Sequence, residues 1–301
     1  MSTERSELLP DPAQAPRPAR NGVSSAGFAR AILLLGGGRE ERAARRATTV
    51  GRGAEPPSEV KRRVLDGVGK ALGRFSMLES GDRVAVGVSG GKDSWCLVHA
   101  LAAHRRRAPF PYELVAVTIE QGKFKSSIQA LGPRLRELGV EWVRRDDPST
   151  LALVAEGVAH GCDVCSRHRR RALYRTVAEL GCTALALGHT ADDCAESLLR
   201  NILFNGRIAS LPPVSRSRKG GLRLIRPLAL VTEDLTGAYA RAMGLPTVGC
   251  VCGDRNGVRR EIRDFLARLR ERHVGVPESV AAALGNVNPY TLFDRDLTKG
   301  E

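Results

Sequence analysis

The chain has 301 residues, of which 42% are hydrophobic but only 4% aromatic, so its core must be built mainly from aliphatic side chains. The formal net charge of +14 fits a polyanionic partner, because Lys and Arg neutralise phosphates, although an Arg-rich composition can also reflect genome bias alone. Seven cysteines in a chain of this length argue against a secreted fold held by disulfides. No apolar run approaches the roughly 18 residues of a membrane span, so we expect a cytoplasmic protein with no membrane partner.

Residues 1–55 are rich in Ala, Arg, Pro, Gly and Ser, and the first lysine of the chain is Lys61. Because this stretch has no sustained apolar period, we predict a disordered basic extension. It is an RNA-contacting arm, a dispensable tail, or the result of a mis-assigned start codon. We place a nucleotide-binding domain at residues 56–245 and a segment of terminal helices at 246–301.

From residue 58 onward, predicted helices and strands alternate. The first helix is indicated by apolar residues that recur every four positions, which are Val60, Val64, Val68 and Leu72. Apolar runs predict strands at 83–88 and 114–119, and shorter strands are predicted at 141–144, 184–188 and 222–225. The helices between them are predicted at 95–103, 127–138 and 166–180. The alternation predicts an α/β fold, a doubly wound parallel sheet with helices on both faces and a mostly helical C-terminal part. Such sheets bind ligands beyond the carboxyl ends of their strands.

A Gly-rich hexapeptide, Ser-Gly-Gly-Lys-Asp-Ser at 89–94, lies between the first predicted strand and its helix. Its glycines allow a sharp turn, and the helix N-terminus supplies unpaired N–H donors for an anion. Lys92 adds a cation, and Asp93 suits a role in holding Mg²⁺ or in orienting the loop. An ordinary turn at a helix cap is the alternative, and a Walker A loop is excluded because Asp93 follows the lysine. The predicted ATP-binding residues of this loop are Ser89, Gly90, Gly91, Lys92, Asp93 and Ser94.

A second polar motif, Gly-His-Thr-Ala-Asp-Asp at 188–193, follows a later predicted strand and opens a helix. Asp192 and Asp193 suit capping at a helix start, which is the structural interpretation. The functional interpretation places His189 and both acids near the ATP phosphates and Mg²⁺.

The hexapeptide at 89–94 resembles the signature of the PP-loop, or N-type, ATP pyrophosphatases, whose fold is of the adenine nucleotide α-hydrolase type. The segments 188–205, 211–213 and 225–228 resemble the tRNA-thiolating branch of that class, most closely the tRNA 2-thiocytidine synthetases. The match covers about residues 58–296. The resemblance implies cleavage of ATP between its α and β phosphates, attachment of AMP to the C2 oxygen of an anticodon-loop cytidine (cytidine 32), and replacement of that oxygen by sulfur.

Two cysteine pairs are closely spaced, Cys162-x-x-Cys165 and Cys250-x-Cys252. In a cytosolic enzyme such pairs are more often redox or metal sites than disulfides. The family resemblance implies that Cys162, Cys165 and Cys252 bind a 4Fe-4S cluster that carries the sulfur. The family usually shows Cys-x-x-Cys in the late position, whereas this chain has Cys250-x-Cys252. Alignment through Cys252 puts Gly249 where the earlier family cysteine stands. Cys252 is therefore the preferred third ligand, and Cys250 is the second choice. A zinc site and a persulfide relay between two cysteines are the alternatives.

The resemblance also implies the remaining functional residues and partners. Beyond the hexapeptide, the nucleotide is expected to contact Ile119, Gly188, His189 and Asp193. The expected catalytic residues are Lys92, Asp93, Asp192, Cys162, Cys165 and Cys252. The expected partners are tRNA, a sulfur donor such as a cysteine desulfurase, and a second copy in a homodimer. Competing functions are 2-thiolation of a tRNA uridine, a PP-loop ligase or amidotransferase acting on a small substrate, and a non-enzymatic nucleotide or Fe–S sensor.

Overall fold

The computed structural model describes residues 55–298, except 123, 125–127, 157–161, 217–220, 249–256 and 274. The predicted extension, apart from Glu55, lies outside the described residues, and so do Cys250 and Cys252. Of the first cysteine pair, the backbone of Cys162 and the side chain of Cys165 are described.

Helices and strands alternate through the first two thirds of this region. The helices are α1 (Pro57–Arg74), α2 (Lys92–Arg105), α3 (Leu131–Glu137), α4 (Pro148–Ala155), α5 (Cys162–Glu179), α6 (Ala191–Asn205), α7 (Glu233–Ala242), α8 (Val258–Arg272) and α9 (Val276–Ala283). The strands are β1 (Arg83–Gly87), β2 (Glu113–Glu120), β3 (Glu141–Asp146), β4 (Ala184–Ala186), β5 (Val214–Arg216) and β6 (Arg223–Ile225). Short 3-10 turns cover Ile128–Ala130, Pro289–Thr291 and Arg295–Thr298.

The six strands form one sheet in the order β3-β2-β1-β4-β6-β5. Strands β1, β2, β3, β4 and β6 pair in parallel, which confirms the predicted doubly wound parallel sheet. From β1 the chain winds outward through β2 and β3 and then returns to β4 on the other side of β1. The strand order therefore reverses between β1 and β4, and the carboxyl ends of these two strands border the crevice where such sheets bind ligands.

Alternating side chains of the central strands pack on opposite faces of the sheet. Val84 and Val86 lie on the face covered by α1 and α2, whereas Ala85 lies on the face covered by α5. Both faces of the sheet are therefore shielded from solvent. For this reason the strands are continuous apolar runs in the sequence. The predicted apolar stripe of α1 is confirmed, since Val60, Val64, Val68 and Leu72 are all buried.

Several elements differ from the sequence prediction. Strand β5 was not predicted; it has only three residues, pairs antiparallel with β6 at the sheet edge, and is too short to show a period. Helix α4 was not predicted either. Helix α5 begins at Cys162, about one turn before the predicted start, so the first cysteine pair lies on a helix. The region predicted as helix 127–138 is divided into a 3-10 turn and α3.

The C-terminal helices α8 and α9 pack against α6, where Ile262 and Leu266 of α8 bury against Ala195. In the described ranges, no helix combines the length and the apolar character that crossing a bilayer requires.

Candidate functional site

The hexapeptide forms the turn from β1 into α2, at the carboxyl edge of the sheet. Gly90 has a positive φ of 77°, and its carbonyl accepts a hydrogen bond of 2.8 Å from the Val248 N–H. A Cβ added at Gly90 would lie 3.0 Å from the Cβ of Val248, so both conformation and space favour glycine here. Gly91 is the N-cap of α2, and no described side chain caps this helix start. The first N–H groups of α2 therefore face the loop as donors for an anion.

The two serines of the loop have different surroundings. Ser94 is buried, and its hydroxyl donates to the Gly91 carbonyl oxygen at 2.8 Å, which stabilises the turn. Ser89 is exposed, with its Oγ 3.4 Å from that of Ser94. The Ser89 hydroxyl is thus the one that is positioned to reach a ligand.

Lys92 is held by carboxylates from two helices. Its Nζ lies 3.2 and 3.1 Å from the two carboxylate oxygens of Asp93 and 2.7 Å from Oε1 of Glu233, the first residue of α7. The Asp93 carboxylate also accepts a short hydrogen bond from the Thr236 hydroxyl. Burial lowers the pKa of Lys92, but the hydrogen bond to Glu233 and the charge of Asp93 outweigh it, so the pKa is raised overall. Lys92 is therefore a cation throughout the neutral range.

The second motif follows β4 and lies directly against the hexapeptide. A Cβ added at Gly188 would lie 3.3 Å from the backbone carbon of Asp93 and from the nitrogen of Ser94, so the two motifs are in backbone contact. Helix α6 begins with a capping box between Thr190 and Asp193. The second carboxylate oxygen of Asp193 accepts a hydrogen bond of 2.9 Å from Arg259 of α8.

The contacts of Asp192 join three helices. Its buried carboxylate accepts a hydrogen bond of 2.7 Å from the backbone N–H of Glu233 and forms a close ion pair with Arg270 of α8. One turn further along α6, the buried Glu196 pairs with Arg259 and Arg263. The capping interpretation is therefore right for Asp193, and both acids of the motif have structural partners.

His189 is uncharged at neutral pH. Its Nδ1 accepts a hydrogen bond of 3.3 Å from Nε of Arg226, whose Nη1 donates to the Pro212 carbonyl oxygen at 2.6 Å. Burial, together with the charges of Arg226, Arg259 and Arg170, outweighs the nearby Asp193 and lowers the pKa of His189 to about 4. At this site Arg226 is the cation, and His189 is a neutral ring that orients it.

The first cysteine pair lies at the same edge of the sheet. Gln121, which follows β2 directly, donates from Nε2 to the Cys165 carbonyl oxygen at 3.1 Å. The same nitrogen donates to Asp147 and to Thr150, so a buried polar cluster ties the start of α5 to the carboxyl end of β2. Ile119 is buried near that end of β2.

The segment that carries the second cysteine pair lies outside the described residues, but the described residues at both its ends are in the site. Val248, before this segment, contacts Gly90, and Arg259, shortly after it, contacts Asp193. Among the described residues there is no group of three or more His, Cys, Asp or Glu side chains that could hold a metal ion.

The structure thus brings the hexapeptide and the 188–193 motif together, as predicted. The structure also places Glu233 and Thr236 around Lys92 and Asp93, and it places Arg226 beside His189. The sequence analysis assigned no role to Glu233, Thr236 or Arg226. Arg226 lies in the segment 225–228, one of those that carry the family resemblance. The only local signal for the other two is Thr232, an N-cap residue that marks the start of α7.

The crevice, the hexapeptide and the parallel sheet define a PP-loop protein, and a family profile described as PP-loop domain matches residues 62–264. The chain is 42% identical to the tRNA-cytidine(32) 2-sulfurtransferase of Anaeromyxobacter dehalogenans, over 79% of this chain and 83% of the relative. It is 40% identical to the protein of the same name from Syntrophotalea carbinolica, over 78% and 93%. Within the PP-loop class, the chain belongs to the tRNA-cytidine(32) 2-sulfurtransferase family.

A solved structure is also similar, the U34-tRNA thiolase NcsA from Methanococcus maripaludis with its 4Fe-4S cluster. It superposes with a TM-score of 0.62 at 25% identity, covering 76% of this chain and 79% of that one. The shared fold supports the doubly wound sheet and its crevice as the frame of the site.

Proposed function

We propose that this protein is an ATP-dependent tRNA sulfurtransferase that replaces the C2 oxygen of cytidine 32 with sulfur. The observation that carries the proposal is the backbone contact between the hexapeptide and the 188–193 motif at the reversal point of the sheet, in a chain of this family. The C2 oxygen of cytosine is a poor leaving group, and ATP can convert it into a good one.

In the first step, the C2 oxygen attacks the α-phosphorus of ATP. The bond from that phosphorus to the bridging oxygen breaks, and pyrophosphate leaves with the electron pair. Lys92 and the open N–H groups at the start of α2 would stabilise the negative charge that develops on the phosphates. We assign Ser89, Gly90, Gly91, Asp93 and Ser94 to the phosphate cradle, with Asp93 as the candidate ligand of Mg²⁺.

The second motif completes the nucleotide site in this proposal. Gly188 allows its loop to lie against the backbone of Asp93 and Ser94, and Arg226 supplies a second cation next to the neutral His189. Ile119, near the carboxyl end of β2, is assigned to the nucleotide pocket. Catalytic roles for Asp192 and nucleotide contacts for Asp193 remain predictions, because their described contacts serve to position α7 and α8.

The cysteines suit a cluster by their chemistry and their place in the chain. Cys162 and Cys165 are three residues apart in the first turn of a helix, a spacing that puts two residues on one helix face. Cys252 is four residues after Val248, which contacts the phosphate loop. We propose that Cys162, Cys165 and Cys252 hold a 4Fe-4S cluster, since thiolates are its usual ligands. When bound, this cluster would supply an iron site for sulfide.

In the second step, sulfide adds to C2 with its electron pair, the bond from C2 to its oxygen breaks, and AMP leaves with that oxygen and the bonding electrons. A separate sulfur donor is then needed for turnover, and a cysteine desulfurase is the proposed class. Because such a donor delivers sulfur as a persulfide, a thiol reductant must supply two electrons to release it as sulfide. We also propose that the enzyme acts as a homodimer.

The nucleosides of tRNA test the function directly. In tRNA from a strain that lacks the gene, mass spectrometry should find no 2-thiocytidine, and the wild-type gene should restore it. Retention of 2-thiocytidine in that strain would refute the proposed activity. Loss of 2-thiouridine instead would establish the rival function, which the similarity to the U34-tRNA thiolase favours.

Two matched variants test the third cluster ligand. Cys252→Ala should lose bound iron and fail to restore 2-thiocytidine, whereas Cys250→Ala should retain both. The assignment is wrong if the two variants behave in the opposite way.

A further inference from the structure

The ammonium group of Lys92 is paired with two carboxylates. A lysine side chain has three N–H donors and no acceptor. In this structure three carboxylate oxygens lie within hydrogen-bond distance of Nζ, two from Asp93 and one from Glu233. The two Asp93 oxygens belong to one carboxylate and share one N–H, so a phosphate oxygen that binds Lys92 meets two carboxylates already paired with the ammonium group. The repulsion between the phosphate and these carboxylates is relieved when one of them withdraws.

The two carboxylates are not equally able to leave. Asp93 is adjacent to Lys92 in α2, and its Oδ1 is also held by the Thr236 hydroxyl. Lys92 is the only hydrogen-bonding partner that the described residues offer to the carboxylate of Glu233, and that side chain is 38% exposed. Glu233 is therefore the partner that can release Lys92 at lower cost.

We infer that Glu233 is a positioning residue that occupies Lys92 until ATP arrives, so that its carboxylate competes with the ATP phosphates and sets the affinity for nucleotide. This inference rests on the proposed binding of ATP at the phosphate loop. It does not depend on the base that is thiolated or on the sulfur chemistry.

The backbone around Glu233 allows such an exchange without movement of α7. The Glu233 N–H is bound to Asp192, and the hydroxyl of Thr232 accepts from the Leu235 N–H, so the helix start stays in place while the side chain rotates. A carboxylate released at this point remains next to the N-terminus of a helix, where the helix dipole favours negative charge. The freed Glu233 is thus not left in an unfavourable position.

Asp234 is a matched control for the charge of Glu233. It is the next residue of α7, it carries the same charge, and it is 76% exposed. Its carboxylate pairs with Arg270 at 2.8 Å and does not contact Lys92. Glu233→Gln and Asp234→Asn therefore remove the same charge from neighbouring positions, but only the first removes an ion pair with Lys92.

The experiment is titration calorimetry of a non-hydrolysable ATP analogue with Mg²⁺, using the full-length protein purified without oxygen and without tRNA. Because a partly exposed ion pair is lost, we expect Glu233→Gln to bind the analogue about 3- to 10-fold more tightly than wild type. Asp234→Asn should stay within about 2-fold of wild type. In a Lys92→Met background the effect of Glu233→Gln should disappear, since it acts through Lys92.

Equal or weaker binding by Glu233→Gln, in a variant that melts like wild type, would overturn the inference, because Glu233 would then assist the phosphates. Persistence of its effect in the Lys92→Met background would also overturn it. A wild-type protein that binds no analogue contradicts the ATP site itself, and with it this inference. Normal analogue binding by a protein that thiolates no tRNA would instead refute only the proposed function.

Discussion

The two motifs at the carboxyl edge of the sheet look equally functional in the sequence, but their polar groups are used in different ways. In the hexapeptide at 89–94, the start of α2 has open N–H groups, Ser89 is exposed and Lys92 is half-buried. In the 188–193 motif, Asp193 caps α6, and Asp192 joins α6 to α7 and α8. The first motif is arranged for a ligand, and the second is arranged mainly to hold the walls of the site.

This difference predicts that substitutions in the first motif reduce activity and that substitutions in the second reduce stability. A capping residue beside a nucleotide site should therefore be tested for stability before it is called catalytic.

The largest effect is expected at Lys92. Lys92→Met keeps the aliphatic stem and removes the charge that faces the developing phosphate charge, so tRNA-dependent release of AMP should fall by about 100- to 1,000-fold. The measurement is AMP and pyrophosphate formation with tRNA present. Lys92→Arg serves as the control that retains the charge. Near-normal AMP release by Lys92→Met would show that the phosphate loop works without its cation.

The next effect is expected at Asp192, and it should appear in stability. Asp192→Ala removes one partner of a partly buried ion pair and the acceptor of the Glu233 N–H, so the free energy of unfolding should fall by about 3 kcal/mol. Asp192→Asn keeps an acceptor and should cost about 1 kcal/mol. Urea unfolding measures both. If Asp192→Asn instead abolishes AMP release while its unfolding curve is unchanged, then Asp192 acts on the nucleotide and the contrast between the motifs fails.

A smaller effect concerns pH and His189. Burial lowers the pKa of this ring to about 4, whereas its ordinary value is 6.5. Between these two pH values the ring is therefore protonated in the unfolded chain but neutral in the folded chain. The stability contributed by the neutral ring is therefore present near pH 7 and is lost as the pH falls, by about 2 kcal/mol at pH 5.

His189→Asn is the control, because it keeps an acceptor for Arg226 and does not titrate. Between pH 7 and pH 5, the free energy of unfolding of this variant should fall by about 2 kcal/mol less than that of wild type. Parallel pH profiles of the two proteins would mean that His189 binds its proton normally in the folded state.

The sequence predicted the central strands and the position of the phosphate loop because their signals are local. Buried parallel strands must be apolar on both faces, so 83–88 and 114–119 stand out as continuous runs. A Gly-Gly turn between such a strand and a helix predicts an anion site from neighbouring residues alone. By contrast, β5 consists of three residues with no period, and its pairing with β6 depends on the rest of the sheet.

The sequence by itself determined the order of the central strands and helices, which of their faces are apolar, and which residues form the two polar motifs, because these properties depend on residues that are close in the chain. Only the tertiary structure decided what those polar groups bind. Glu233 contacts a lysine 141 positions away, and Asp192 pairs with an arginine 78 positions away. Such partners are chosen by the packing of α7 against α1 and α2 and of α8 against α6, and no local pattern records that choice.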